Sequence, residues 1–273
     1  MKKAWALCGV GLLLIGCGGS APTGDGPARP AAAEGSSKGQ GTQTAVPLAH
    51  EEVLVPAGEF IMGSDKGSPD ELPVHLVTLD AFYIDKFEVT VRQYRACVEA
   101  GICEEPTIAS LCNWDGGLPD TNPINCMTWE AAKAYCEWAG QRLPTEAEWE
   151  KAARGTDRRT YPWGEDLDRQ HANYREGSGR STDPVGSYEE GVSPYGAYDM
   201  AGNVWEWVAD WYAEDYYSKS PRENPPGPER GEHRILRGGS WWFEAPYVRS
   251  ARRQPYLPLV TDIDIGFRCA RNL

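Results

Sequence analysis

The most informative stretch of the chain is Gly196-Ala-Tyr-Asp-Met-Ala-Gly-Asn-Val-Trp-Glu-Trp-Val-Ala-Asp-Trp211, in which three tryptophans and three acids share sixteen positions. We expect Trp205, Trp207 and Trp211 to be buried, because three large indole rings are too apolar to remain in water together. The polar side chains between them need hydrogen-bond partners if they are buried as well. The stretch therefore predicts a buried turn that is held together by its polar side chains.

The same stretch also has the chemistry of a calcium site. Asp199, Asn203 and Glu206 offer carboxylate and amide oxygens, and Ca²⁺ takes six to eight oxygen ligands. Gly202 gives the backbone the freedom to fold around an ion. The spacing is not that of an EF-hand loop. From chemistry alone, a hydrogen-bonded turn and a calcium loop both remain open.

Five blocks of the sequence, together extending from about Val53 to the C-terminus, resemble the formylglycine-generating enzyme (sulfatase-modifying factor) family. In chain order they are Val55-Pro-Ala-Gly-Glu-Phe-Ile-Met-Gly63, Arg142-Leu-Pro-Thr-Glu-Ala-Glu-Trp-Glu150, Gly202-Asn-Val-Trp-Glu-Trp207, Arg237-Gly-Gly-Ser-Trp241 and Gly266-Phe-Arg-Cys-Ala-Arg271. The resemblance implies a complex α+β, C-type-lectin-like fold with little regular secondary structure. It leaves activity as a separate question, because one fold can carry several functions.

The N-terminus indicates export. Two lysines precede an apolar run from Ala4 to Ile15, which is too short to span a bilayer. Leu14-Ile-Gly-Cys17 resembles the lipobox of bacterial lipoproteins, which implies a signal peptide at 1–16 and a lipid on Cys17. An ordinary secretory signal with an incidental cysteine is the alternative. We therefore expect an exported protein that is lipid-anchored to the bacterial cell envelope, at the outer membrane or facing the periplasm.

Composition divides the rest of the chain into two parts. Residues 18–47 contain no aromatic residue, leucine or isoleucine, so they have little with which to form a core. We assign 17–50 to the lipidated cysteine and a flexible linker, with a reach on the order of 30 Å, and 51–273 to one sulfatase-modifying factor-like domain. The formal net charge of -13 repels nucleic acid and anionic headgroups, so we expect neither as a partner.

Local signals place the first elements of the domain. Threonines at positions 90, 128 and 145 are predicted to cap three helices. Asp70 and Glu71 lie in a proline-bounded loop with no base nearby, so we interpret them as solvated rather than as an acid–base pair. Short strands are predicted at Val53–Val55, Phe60–Met62, Val74–Leu79 and Phe82–Ile84.

The cysteines indicate disulfides. Of the eight cysteines, six remain if Cys8 leaves with the signal and Cys17 is acylated, and export favours three disulfides. The family resemblance implies that Cys136 pairs with Cys269, a long loop worth about 4 to 5 kcal/mol in the chain-entropy model. The other four lack the C-x-x-C unit of many zinc sites. For these four we favour the pairs Cys97 with Cys103 and Cys112 with Cys126, and the two other pairings stay open.

The residues that follow the Gly-Gly-Ser block argue against the family's chemistry. In the enzymes two cysteines there bind copper as thiolates and oxidise a substrate cysteine with dioxygen. The matching positions here are Phe243 and Val248, which have no thiolate, so we expect no copper and no catalytic residue. Ser240 lies outside any Gly-x-Ser-x-Gly elbow and is interpreted as a residue that hydrogen-bonds the backbone.

The resemblance also implies metal ligands. It assigns calcium to the side chains of Asp199 and Glu206 and to the carbonyls of Gly202 and Val204. A further pair, Asn173 and Tyr174, matches the start of a second calcium site, although the loop after them departs from the enzymes.

The leading functional hypothesis is a non-catalytic binding or scaffolding module for a peptide, protein or glycan. We expect its ligand groove to be lined by Trp242, Phe243, Glu244 and Tyr247, with plain core packing of these aromatics as the alternative. The second hypothesis is a formylglycine-generating oxidase, which the missing thiols disfavour. A purely structural role in the envelope is not distinguished from the first by sequence.

Overall fold

The computed structural model describes residues 50–106, 110–177 and 180–273, which belong to one compact unit. The predicted signal peptide and nearly all of the predicted linker, with Cys8 and Cys17, lie outside the described residues. Within these ranges no helix is long and apolar enough to cross a membrane.

Regular elements are short and are separated by long irregular segments. The α-helices are α1 (Val91–Glu99), α2 (Trp129–Trp138) and α3 (Glu146–Arg154). The strands are β1 (Glu52–Val55), β2 (Gly58–Met62), β3 (His75–Leu79), β4 (Phe82–Asp85), β5 (Trp205–Trp211), β6 (Arg234–Arg237), β7 (Gln254–Tyr256), β8 (Ile265–Phe267) and β9 (Ala270–Asn272). The four strands predicted before α1 are therefore confirmed within two residues.

Each α-helix begins after the predicted threonine. The Thr90 hydroxyl accepts from the Gln93 amide, and the Gln93 side chain accepts from the Thr90 amide, which completes a capping box. Thr145 and Glu148 form the same box at α3, while at α2 the Thr128 hydroxyl accepts from a backbone amide. These caps are local in sequence, which is why the sequence predicts them correctly.

Strand β5 lies inside the largest sheet, whose strand order is β7-β6-β5-β8. It pairs antiparallel with β6 and parallel with β8, so Glu206 lies opposite Arg237 on one side and Gly266 on the other. Three of the five family blocks thus meet in one sheet. The remaining sheets have the orders β1-β4-β9 and β2-β3.

The central stretch is a turn followed by a strand, so the prediction of a buried turn holds only for its first half. Asp199 and Asn203 have left-handed backbones with φ of 56° and 57°. From Trp205 the chain is extended, and the first four residues of β5, Trp205 to Val208, are all buried, so residues on both faces of the strand are covered. Trp211, the last residue of β5, is only partly buried.

Three disulfides connect the described residues in the favoured pairs. Cys136 and Cys269 join α2 to the segment between β8 and β9, with 5.6 Å between their Cα atoms. The other two bridges are local, and they join Cys97 to Cys103 and Cys112 to Cys126.

The interpretation of Asp70 and Glu71 as solvated residues is wrong. Glu71 is fully buried, and its two oxygens accept from the Arg249 guanidinium at 2.7 and 2.8 Å. Asp70 is 8% exposed and accepts from the Tyr212 hydroxyl at 3.0 Å. Both partners come from distant parts of the chain, so the local sequence around the acids carries no sign of them.

Candidate functional site

A buried acidic cluster forms where the central turn enters β5. The Glu206 carboxylate accepts from Arg268 Nε and Nη2, both at 2.7 Å, and from the Trp149 indole at 2.8 Å. Asp199 accepts from the Gly186 amide at 2.7 Å through one of its oxygens. The structure thus brings the two predicted carboxylate ligands into one neighbourhood.

A third acid, Glu88, belongs to this cluster. Its carboxylate accepts from the Val204 amide at 3.0 Å and from the Asn203 side chain at 2.6 Å, so it holds the turn from the other side. Sequence reasoning missed Glu88. The one feature of the nearby sequence that hints at its burial is its place between the apolar residues Phe87 and Val89, just before α1.

The cluster contains more acid than base. Burial raises the pKa of Glu88 well above its ordinary value, and the charges of Asp199 and Glu206 raise it further. Burial also raises the pKa of Asp199 to about 6. Arg268 lowers both values, but one guanidinium faces three carboxyl groups. The cluster is therefore balanced either by protons or by an added cation.

The donor set fits calcium in kind, because it consists of hard oxygen ligands. Among the described residues, no three His, Cys, Asp or Glu side chains converge in the geometry of a metal site. The predicted set instead combines two carboxylates with the carbonyls of Gly202 and Val204. Both oxygens of Glu206 already accept hydrogen bonds, so a calcium ion would share them with Arg268 and Trp149.

The residues of the second predicted calcium site lie next to the first. The Asn173 carbonyl accepts from the Asn203 amide at 2.8 Å. A Cβ atom at Gly202 would stand 2.2 Å from that carbonyl oxygen, so this position requires glycine. The Tyr174 carbonyl accepts from the Gly177 amide, and its ring is buried with Val248 in a small apolar cluster. Asn173 therefore supports the turn, whereas Tyr174 points its ring into the core.

The two positions that the resemblance assigns to the family's thiols carry packed apolar side chains. Phe243 is partly buried, with its ring centroid 5.6 Å from that of Trp205 and 4.9 Å from that of Tyr247. Val248 is fully buried. All six cysteines in the described ranges are in disulfides, so those ranges contain no free thiol.

The four predicted groove residues have different surroundings. Trp242 is 49% exposed, with its ring edge-to-face against Trp241. Glu244 forms a solvent-exposed ion pair with Arg175 at 2.7 Å. Phe243 and Tyr247 pack together against the main core. Core packing thus accounts for Phe243 and in part for Tyr247, while Trp242 and Glu244 face solvent.

Sequence reasoning missed a cleft of about 540 Å³ that lies beside Trp241. Asn113, Thr182 and Trp241 come together at its wall from three distant segments. The Trp241 indole nitrogen is buried and has no hydrogen-bond partner among the described residues. No single stretch of sequence indicates this cleft, because its wall is built from distant segments.

Ser240 differs from its prediction in its main partner. Its hydroxyl donates to the Asp264 carboxylate at 2.5 Å and also accepts from the Trp242 amide at 3.3 Å. Burial raises the pKa of Asp264 to about 6. Ser240 thus bonds a carboxylate as well as the backbone, and it holds the loop that carries Trp242.

The sequence of the chain is similar to those of known proteins. The sulfatase-modifying factor enzyme 1-like domain matches residues 38–273. The chain is 34% identical over 281 residues to the formylglycine-generating enzyme of Streptomyces coelicolor, covering 81% of the chain and 89% of that enzyme. It is also 39% identical over 244 residues to the serine/threonine-protein kinase pkn1 of Chlamydia pneumoniae. That match covers 83% of the chain but only 39% of the kinase, so the chain spans about two-fifths of that relative.

Solved structures also support membership of this family. PvdO from Pseudomonas aeruginosa superposes with a TM-score of 0.70 and 31% identity, covering 81% of this chain and 94% of PvdO. Treponema denticola variable protein 1 superposes with a TM-score of 0.68 and 26% identity, covering 81% and 95%. The chain therefore belongs to the sulfatase-modifying factor family, with the mixed α and β fold of formylglycine-generating enzymes, as its five sequence blocks predict.

Proposed function

We propose that this protein is a non-catalytic binding module on an exported lipoprotein of the bacterial cell envelope. The observation that supports the proposal is the apolar packing of Phe243 and Val248, the two residues that the resemblance matches to the family's thiols. Copper chemistry of that kind needs soft thiolate ligands. Without those ligands, a chain of this fold is left with its surface as the means by which it acts, and a surface can bind a partner.

The proposed ligand is a peptide, protein segment or glycan, bound at Trp242 and the neighbouring cleft beside Trp241. A half-exposed indole offers a large, rigid contact area, and tryptophan is enriched among residues that dominate binding. The cleft beside Trp241 adds a concave surface of about 540 Å³. Glu244 and Arg175 contribute a polar rim.

Calcium is proposed as a structural cofactor of the central turn. The carboxylates of Asp199 and Glu206 and the carbonyls of Gly202 and Val204 would hold it. Its charge would offset the excess of buried carboxylate that Glu88 adds. Copper has no part in this proposal.

The envelope location rests on the lipobox at Cys17 and on the linker that follows it. The membrane contact would be the lipid alone, since the formal net charge of -13 disfavours anionic surfaces and nucleic acid. Mass spectrometry of the mature N-terminus tests this part. An acylated Cys17 is expected, and an unmodified peptide that extends upstream of Cys17 would contradict it.

The alternative is a formylglycine-generating oxidase, and a direct assay separates the two functions. The full-length chain, shown to be folded by circular dichroism, is incubated with copper, oxygen and a Cys-x-Pro-x-Arg peptide, and the peptide is followed by mass. The Streptomyces coelicolor enzyme serves as the positive control. We expect an unchanged peptide, whereas conversion of its cysteine to an aldehyde at the rate of the control would overturn the proposal.

A further inference from the structure

A surface cavity of about 430 Å³ collects positive charge on an otherwise acidic protein. Three of the side chains that line it are cationic, Lys66, Arg249 and Arg252, and its described lining contains no acid. Ser68 and Tyr247 complete the polar part of its wall. Because the formal net charge of the chain is -13, such a concentration of cations is not explained by composition.

Arg252 is hydrogen-bonded to neutral groups. One terminal nitrogen donates to the Ser68 hydroxyl and the other to the Gln254 side-chain oxygen at 3.1 Å. Its Nε is buried and has no partner among the described residues. The guanidinium carbon lies 5.2 Å from the centroid of the Tyr247 ring. Both hydrogen-bond acceptors are neutral, so they orient the guanidinium without cancelling its charge.

The other two cations are held in complementary ways. Arg249 is fixed by its two hydrogen bonds to the buried Glu71. Lys66 is 75% exposed and lies 3.9 Å from Glu165, whose carboxylate already accepts from the Thr160 amide and hydroxyl. A long, exposed contact of that kind neutralises little charge. With Glu71 counted against Arg249, two positive charges are left at the cavity.

We propose that this cavity binds a dianionic oxyanion, namely phosphate or a phosphate monoester, with Arg252 and Lys66 as its charged contacts. A phosphate monoester carries about -1.5 to -2 charges near neutral pH, which matches the two uncompensated cations better than a single carboxylate does. The planar guanidinium suits a tetrahedral oxyanion, and lysine supplies a mobile point charge. In a phosphate monoester, the organic group attached to the phosphate would pack against the Tyr247 ring. The site stands independently of calcium, and it shares Tyr247 with the ligand groove that was predicted from the sequence.

Titration calorimetry of the full-length chain at low ionic strength tests the proposal. The probes are inorganic phosphate and O-phosphoserine. The comparison compounds are serine, whose side chain is uncharged, and glutamate, whose side chain carries one carboxylate. Tighter binding of O-phosphoserine than of phosphate would identify a monoester as the ligand, and equal binding would identify the free anion. Absence of phosphate binding by the folded chain, or binding of glutamate as tight as that of O-phosphoserine, would overturn the proposal.

Two variants locate the site. Arg252→Gln keeps hydrogen-bonding groups but removes the charge, and we expect phosphate binding to weaken about tenfold. Lys66→Gln alters an exposed side chain that the fold does not need, and we expect a severalfold loss. The matched control is Arg222→Gln, which removes one charge from an exposed pair with Glu59 and should leave the affinity within about twofold. Equal losses in Arg222→Gln and Arg252→Gln would assign the binding to overall charge and reject the site.

Discussion

Glu206 and Arg268 form a buried ion pair in which both carboxylate oxygens accept from the guanidinium at 2.7 Å. Neither side chain has any exposed surface. The pair ties β5 to the segment that follows β8, and Arg268 also donates to the Tyr198 carbonyl in the central turn at 2.8 Å. One arginine thus joins two family blocks and the candidate calcium turn.

Arg268→Met should therefore be strongly destabilising. It would leave the Glu206 carboxylate buried without its counter-ion, which costs about 3 to 5 kcal/mol of unfolding free energy in comparable cases. Urea denaturation measures the loss. The control is Arg271→Met, whose pair with Glu52 is 40% exposed at the arginine and should be worth less than about 1 kcal/mol. Similar losses in the two variants would contradict the importance of the buried pair.

Stability should depend on pH through Asp210. Burial raises the pKa of this carboxyl group to about 8, and the charge of Glu146 raises it as well. The unfolded chain has an ordinary carboxyl pKa of about 3.9, so the folded state binds the proton more tightly. This contribution to stability is present at low pH and is lost as the pH rises from about 4 to about 8, by at most about 1.4 kcal/mol per pH unit.

The check is urea denaturation of Asp210→Asn between about pH 5 and 8, where the variant should show a flatter decline than the unsubstituted chain. Its amide oxygen can still accept from the Glu146 amide, which donates to Asp210 at 2.8 Å. Asp215→Asn changes an exposed acid and should keep the original slope. An unchanged slope in Asp210→Asn would assign the pH dependence to other groups.

The disulfides should differ in their contributions. Cys136 and Cys269 are separated by 133 positions, so the chain-entropy model gives about 5 kcal/mol for their bridge. Cys97 and Cys103 are separated by 6, which gives about 2 kcal/mol. We expect the double Cys→Ala variant of the long bridge to lose more unfolding free energy than that of the short one. The opposite order in urea denaturation would contradict this.

Calcium should raise the melting temperature of the chelator-treated, full-length chain. At a calcium concentration of about one hundred times the dissociation constant, the gain is about 2.7 kcal/mol. Asp199→Ala should abolish most of this gain, because Asp199 is a proposed ligand. Asp215→Ala, which removes an exposed acid elsewhere, should retain it. A chain whose melting temperature is the same with calcium and with chelator would exclude the proposed cofactor.

Substitutions of the adjacent Trp241 and Trp242 should have different effects, the first on stability and the second on ligand binding. Trp241 is 1% exposed, and Trp241→Ala is expected to cost about 3 to 5 kcal/mol of unfolding free energy. Trp242 is 49% exposed, and Trp242→Ala should cost less than about 1 kcal/mol. On an array of envelope glycans and peptides, Trp242→Ala should lose the signals of the unsubstituted chain. Retention of every signal would remove Trp242 from the proposed binding surface.

Much of the fold is predictable because its signals are local or belong to a recognisable block. Thr90 and Gln93 cap α1 from positions three residues apart, and this pattern needs no tertiary information. The burial of Trp205 and Trp207 is not a local signal of this kind, because Glu206 between them is buried as well and the sequence indicated a turn there. The family blocks identify the fold as a whole, and the family model matches residues 38–273.

The sequence by itself determined the family, the three helix starts and the absence of cysteine at positions 243 and 248. Each of these depends on which residues stand at which positions. Only the tertiary structure decided that Glu71 is buried against Arg249, that Glu88 joins the acidic cluster, and that Arg252 retains an uncompensated charge. Those partners are far apart in the chain, and the effect of a charge depends on burial and on the groups around it rather than on its neighbours in sequence.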